Sequence, residues 1–236
     1  MSSKRRAGAS NRSAYIKREH LIEVEPFTNS QKKAVDAWNE GKHLFLSGSA
    51  GTGKTFLALH LGLTQALTKD IDCDNVTIIR SIVPTRDIGF LPGNEEEKKL
   101  AYVRPYVSIC SEICEDNSAW GKLTTGKTIN FESTSFIRGT TFDDTVLVVD
   151  ECQNMSGHEL DSVITRTGDR CRLIFCGDYY QSDFRNERDK NGILEFMKII
   201  ETMKDFAVIN FTWSDIIRSD FVREYIMSKE MMNIKF

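Results

Sequence analysis

Eight residues constrain this 236-residue chain more than any others. Gly48-Ser49-Ala50-Gly51-Thr52-Gly53-Lys54-Thr55 fits the pattern G-x-x-x-x-G-K-[ST] in full. Such a loop needs a buried strand before it and a helix after it. The apolar run His43 to Ser47 (HLFLS) supplies the strand. Lys54 to Thr68 reads as the helix, with Leu57, Leu61 and Leu63 on or near its buried side. Glycines let backbone amides crowd around phosphate oxygens without a side-chain clash. The helix start adds the positive end of its dipole. Lys54 is the candidate cation for the β- and γ-phosphates, and the Thr55 hydroxyl is a candidate magnesium ligand.

The remaining chain alternates strands with helices. Ser30 to Glu40 reads as a helix with Ser30 as its cap. Asn75 to Arg80, Val146 to Val149, Arg172 to Cys176 and Ala207 to Phe211 read as strands. Thr128 to Ile137 alternates weakly and reads as a hairpin strand. Residues 91–117 read as helical, Ser156 as the cap of a helix to Arg166, and 192–202 and 220–229 as further helices. This order predicts an α/β fold with a mostly parallel sheet covered by helices on both faces, and a site at the carboxyl ends of the strands. Apolar residues make up 40 % of the chain, enough for a substantial core.

No run approaches the roughly 18 apolar residues of a membrane span, and residues 1–30 lack an apolar run suited to a signal peptide. The six cysteines lack a disulfide-scaffold spacing and read as reduced thiols, so a cytoplasmic protein is expected. A net charge of −3 argues against nucleic-acid binding by bulk charge. The charge is uneven, however: Lys4, Arg5, Arg6, Arg12, Lys17 and Arg18 fall in residues 1–18 with no acid among them. Residues 1–25 are expected to form a basic, flexible tail, solubilising or phosphate-contacting. Residues 26–236 are expected to form one domain with an insert at about 86–140.

A magnesium-assisted hydrolase also needs acids at the end of a second buried strand. Val146-Leu147-Val148-Val149-Asp150-Glu151 supplies them. Asp150 is the candidate metal acid and Glu151 the group that polarises water. An acidic pair at a strand end also serves as a helix cap or a solvated turn. Gln31 carries the donor and acceptor needed to read an adenine edge, and taken alone is also an ordinary surface glutamine. Gln181, after the Arg172 to Cys176 strand, is a candidate for the γ-phosphate or its water.

Together these motifs resemble the PhoH-like family, which shares the RecA-type core of superfamily 1 helicases. Further residues carry the resemblance. They are Phe90-Leu91-Pro92-Gly93, Glu95-Glu96-Glu97-Lys98, Arg104-Pro105, Phe136-Ile137-Arg138-Gly139-Thr140-Thr141, Asp150-Glu151-Cys152-Gln153-Asn154, Gly177-Asp178 with Gln181, and Asp215-Ile216-Ile217-Arg218. They span about residues 26 to 227. The chain departs from the family's pattern at Ser81, where a proline usually follows the strand-two arginine, and at Thr140, where a second arginine often stands.

The resemblance implies a RecA-like P-loop NTPase that hydrolyses ATP with Mg2+ and associates with RNA. It puts Gln31 in the place of the family's adenine-reading glutamine; Phe27 is either a ring for stacking beside it or a core residue. A compact version of this kind resembles those encoded by phages, which would place the protein in host cytoplasm. One RecA-like half lacks the second half that supplies an arginine finger in two-domain helicases. Arg218 is the first candidate for that role and Arg185 the second. A ring of identical subunits, preferably a hexamer, would create the missing interfaces. In that reading Ile217, Phe221 and Tyr225 dock the last helix and turn Arg218 toward a neighbour. Arg80, Arg86, Arg104 and Arg138, interleaved with Phe90, Tyr102, Tyr106 and Phe136, suit RNA or single-stranded nucleic acid, or else form a solvated insert. The competing reading is a slow, nucleotide-gated module that holds RNA or a protein. A kinase fits less well, because the acid pair suits water as the acceptor.

Overall fold

Apolar residues alternate along the strands, and every strand except Ile129–Ser133 at the sheet's edge divides them between two cores. A computed structural model describes residues 15–68, 73–82, 95–137, 139–178 and 187–232. Among the described residues six strands form one sheet in the order β3-β2-β4-β5-β1-β6, every pair parallel. They are β1 (His43–Gly48), β2 (Asn75–Arg80), β3 (Ile129–Ser133), β4 (Thr145–Asp150), β5 (Arg172–Gly177) and β6 (Phe206–Phe211). Leu44, Leu46, Val146, Val148, Ile174 and Cys176 point to one face. Phe45, Leu147, Val149, Leu173 and Phe175 point to the other. The period of two thus fills both faces, as a parallel sheet requires.

Four helices serve the first core: α1 (Asn29–Asn39), α2 (Lys54–Ala66), α3 (Glu95–Ile113) and α4 (Ala119–Thr125). Helices α5 (Gly157–Ile164) and α6 (Glu187–Thr202) serve the second. Helix α2 is buried continuously from Leu57 to Leu63, as expected of a helix enclosed by the sheet and other helices. Gly62 lets it approach closely, since a Cβ there would lie 3.3 Å from both Val76 and Val146 side chains. Helix α7 (Asp220–Met231) has no buried residue.

Three expectations need correction. The stretch 128–137 is no hairpin: β3 runs parallel to β2, pairing Val76 with Ile129. Parallel neighbours need a long return connection, which includes α3 and α4. Helix α1 is capped by Thr28 rather than Ser30, the Thr28 hydroxyl accepting from the Gln31 amide at 3.3 Å. Part of the expected flexible tail is packed. Ile16 and Leu21 are buried, and the Ile22 amide donates to the Ile113 carbonyl at 2.8 Å. The Ile22 carbonyl also meets His60 Nε2 at 2.9 Å, so the segment bridges α2 and α3.

Strand β1 hands the chain to the phosphate loop at Gly48, beside β6. Gly48 has φ +127°, and a Cβ there would lie 1.9 Å from the Phe211 carbonyl oxygen. Both the backbone angle and the space demand glycine. Gly48→Ala is expected to lower unfolding free energy by at least about 2 kcal/mol. Urea denaturation checks this; wild-type stability would contradict the account.

Candidate functional site

The loop joins β1 to α2, with Gly53 as the N-cap of α2 in the left-handed region at φ +80°. Thr52 is fully buried, and its hydroxyl donates to the Ser49 carbonyl at 3.0 Å. Lys54 Nζ reaches the carbonyls of Gly48 at 2.7 Å and Ser49 at 2.8 Å, and Thr52 Oγ1 at 3.3 Å. Burial pulls the Lys54 pKa down, against the fields of Cys176, Asp178, Glu151 and Asp150. Loop amides, the amino end of α2 and this ammonium make a concave positive site suited to phosphate.

Strand β4 delivers the acids. Asp150 is buried, and each of its oxygens has a donor. Thr55 Oγ1 donates to Oδ1 at 2.9 Å, and the Tyr106 hydroxyl donates to Oδ2 at 2.9 Å. Burial, then the charge of Glu151, raises the Asp150 pKa, while Thr55, Arg80 and Tyr106 oppose the rise. Thr55 and Asp150 are hard oxygen donors, the type that magnesium takes. Among the described residues no three His, Cys, Asp or Glu side chains gather into a metal cluster.

Glu151 turns the chain with φ +52°, an uncommon angle for a residue with a side chain. Its carboxylate accepts from Gln153 Nε2, and Gln153 Oε1 accepts from the Asp178 amide at 3.0 Å. Gln153 therefore ties the end of β4 to the end of β5. The approach is close, since a Cβ on Gly177 would lie 2.5 Å from Cys152 Sγ.

Two segments outside the loop hold it in place. Gln31 Nε2 donates to the Thr52 carbonyl at 3.3 Å, and its Oε1 accepts from the Phe27 amide at 2.8 Å. On the other side the Ile217 amide donates to the Gly51 carbonyl at 3.1 Å. Ser49 Oγ donates to Glu230 of α7 at 3.0 Å, and Trp213 Nε1 reaches the same carboxylate oxygen. An open cleft of about 660 Å³ results, lined by Phe27, Gln31, Lys54, Glu151, Asp178 and Arg218 among others.

The structure thus gathers Gln31, the loop from Gly48 to Thr55, Asp150, Glu151 and Arg218 at one end of the sheet. Gln181, Arg138, Arg86, Phe90 and Arg185 lie outside the described residues. The expected docking face is not the one used: Phe221 and Tyr225 are exposed, while Ile217 and Ile226 reach toward the loop and Glu230 binds Ser49. Arg218 lies on its own chain's loop, its Cγ 3.0 Å from where a Gly51 Cβ would be.

Arg80 is half-buried above the Tyr102 ring, 5.7 Å from its centroid, and its charge acts on Tyr106, Glu151 and Asp150. Tyr106 is fully buried, so it offers no face to a base. Arg104 and Phe136 are exposed. Gln153 and Tyr106 are the residues whose part in the site was missed. The spacing of Val103, Tyr106, Cys110 and Ile113 marks one face of a helix and assigns Tyr106 to the core.

Known proteins agree with this architecture. A PhoH-like protein of Mycobacterium leprae (strain TN) is 30 % identical over 204 residues, covering 86 % of this chain and 57 % of that protein. Protein PhoH2 of Bacillus subtilis (strain 168) is 32 % identical over 172 residues, covering 70 % of this chain and 38 % of its own length. The chain therefore spans little more than half of the first relative and less of the second. Among solved structures, the large terminase of a thermophilic bacteriophage aligns with TM-score 0.50 at 14 % identity, over 88 % of this chain and 50 % of that one. That likeness is one of fold, here the α/β RecA-like fold. No helix among the described residues is long and apolar enough to cross a membrane. The family profile described as PhoH-like protein matches residues 23–229, and with a complete phosphate loop seated beside its acids this chain belongs to the PhoH-like family of P-loop NTPases.

Proposed function

We propose that the protein is a magnesium-dependent ATPase that couples hydrolysis to RNA or another single-stranded nucleic acid, working as a ring oligomer, preferably a hexamer. The observation that carries this reading is the Thr55–Asp150 hydrogen bond, which joins the phosphate loop to the acid strand with Glu151 alongside. Lys54 and the loop amides bind the β- and γ-phosphates. Thr55 and Asp150 would hold magnesium, which when bound neutralises phosphate charge. Glu151, aimed by Gln153, accepts a proton from the attacking water and orients it. Gln31 and the exposed ring of Phe27 line the cleft and are the candidates for an adenine base, Gln31 through the N–H and lone pair left after its bonds to Thr52 and Phe27. Gln181 is retained as the candidate γ-phosphate reporter. Arg218 supplies the added cation for the transferring phosphoryl group.

The nucleic-acid part rests on exposed Arg104 and Phe136, with Arg138 as a further candidate. Arg80 faces the acids and serves the site rather than the strand. The exposed side chains of Phe221 and Tyr225 on α7 support a contact between subunits. Cytoplasmic residence accords with reduced cysteines, five of which are buried.

Glu151→Gln is expected to keep nucleotide affinity within about threefold and to cut turnover at least about a hundredfold. Lys54→Ala also loses turnover. Fluorescent-nucleotide binding and phosphate release read the two effects separately. Wild-type turnover in either variant would sink the assignment. Single-stranded RNA is expected to raise wild-type turnover; unchanged turnover, with RNA bound, would favour the slow binding module. A measured mass equal to one chain would remove the ring.

Arg218→Ala is expected to spare nucleotide binding and lower turnover roughly a thousandfold, the scale of an arginine finger. Because Arg218 lies against its own Gly51, mixing Arg218→Ala with Lys54→Ala subunits should restore nothing. Recovered activity in mixed rings would assign the arginine to a neighbour's site.

A further inference from the structure

Tyr106 is a fully buried phenol in the middle of α3, far in sequence from every nucleotide motif. Burying a hydroxyl is unfavourable unless it finds a partner. This one donates to Asp150 Oδ2 at 2.9 Å, within the field of the Arg80 guanidinium. Arg80 ends β2 directly opposite Asp150 in the strand register, so the sheet itself sets their separation. The guanidinium also lies over Tyr102, one helical turn before Tyr106 on α3. Thr55 holds the other Asp150 oxygen. The metal acid is therefore fixed from two directions, by the phosphate-loop helix and by α3.

We infer that Tyr106 is a positioning residue for the metal site: its hydroxyl, braced by Arg80, fixes the second oxygen of Asp150 so that the first is presented beside Thr55. This rests on the magnesium-nucleotide reading proposed above. Removing the hydroxyl leaves a buried carboxylate oxygen without its neutral donor, and the carboxylate can then rotate or recruit Arg80 directly. Either movement takes the carboxylate away from Thr55. The phosphate contacts of Lys54 and the loop do not involve Tyr106 and stay as they are.

The test uses the full chain carrying Tyr106→Phe, which keeps the ring and its contact with Phe131 at 5.8 Å between centroids. Binding of a fluorescent, non-hydrolysable ATP analogue is titrated with Mg2+, and thermal unfolding is followed in parallel. The Mg2+ concentration for half-maximal effect should rise about tenfold. Affinity without Mg2+ should stay within about twofold. Arg80→Gln, at a half-buried site, should shift the Mg2+ dependence the same way by a smaller factor and guards against misfolding of the first variant. In turnover, excess Mg2+ should restore much of the Tyr106→Phe rate. An unshifted or tighter Mg2+ dependence in Tyr106→Phe overturns the inference. So does an equal loss of affinity with and without Mg2+, which would make Tyr106 a packing residue. Failure of the wild-type chain to bind nucleotide at all would instead sink the reading of the site.

Discussion

The hydrogen bond from Thr55 to Asp150 is the contact on which the site depends, because it joins two parts of the chain that topology alone leaves apart. Thr55 opens α2 after β1, and Asp150 ends β4. In the sheet these strands are separated by β5. The phosphate loop and the acids therefore stand on either side of the end of β5, and the gap between them is one strand wide. Gly177 closes β5 without a side chain, which lets Cys152 and Gln153 cross over it. A larger residue there would push the acid turn away from the loop. Parallel strands put every carboxyl end on one edge, but this short crossing gives that edge its spacing.

Charge follows the same geometry. Lys54 sits under the loop in the fields of Asp150, Glu151 and Asp178, and burial weakens its hold on a proton. Burial and Glu151 together push Asp150 up as well. Both shifts have the same leading cause, the burial of Lys54 and Asp150 at the foot of the cleft.

Much of this was legible in the sequence where chemistry forces a local pattern. The glycine loop admits few settings, and the Val146 to Val149 run ending in two acids marks a buried parallel strand. Elsewhere the sequence was ambiguous for definable reasons. Residues 128–137 alternate as a hairpin strand does, yet alternation says nothing about strand direction, which α3 and α4 decide. The apolar residues Phe221 and Tyr225 of α7 have the spacing of a docking face, but spacing does not say what covers it. Tyr106 illustrates a different limit. Its helical spacing assigns it to the core, but only the register of β2 with β4 brings its hydroxyl to Asp150. Distance in sequence hid it, as it hid Gln153's reach to Asp178.

The loop pattern is therefore a poor description of what holds the loop. Its carbonyls at Thr52 and Gly51 are satisfied by Gln31 and by the Ile217 amide, one before β1 and one after β6. Its Ser49 hydroxyl is taken by Glu230 near the end of α7. None of these partners belongs to the glycine pattern, and they come from opposite ends of the domain. A phosphate loop has to keep its amides free for a ligand, so its carbonyls and side chains must be anchored outward. The segments before β1 and after β6 do that here, with β6 pairing beside β1 at the sheet's edge. The family match over residues 23–229 takes in Gln31 and Ile217 and stops one residue before Glu230. The recognisable unit thus extends well beyond the phosphate-binding motif, because the loop's geometry is set by both ends of the fold.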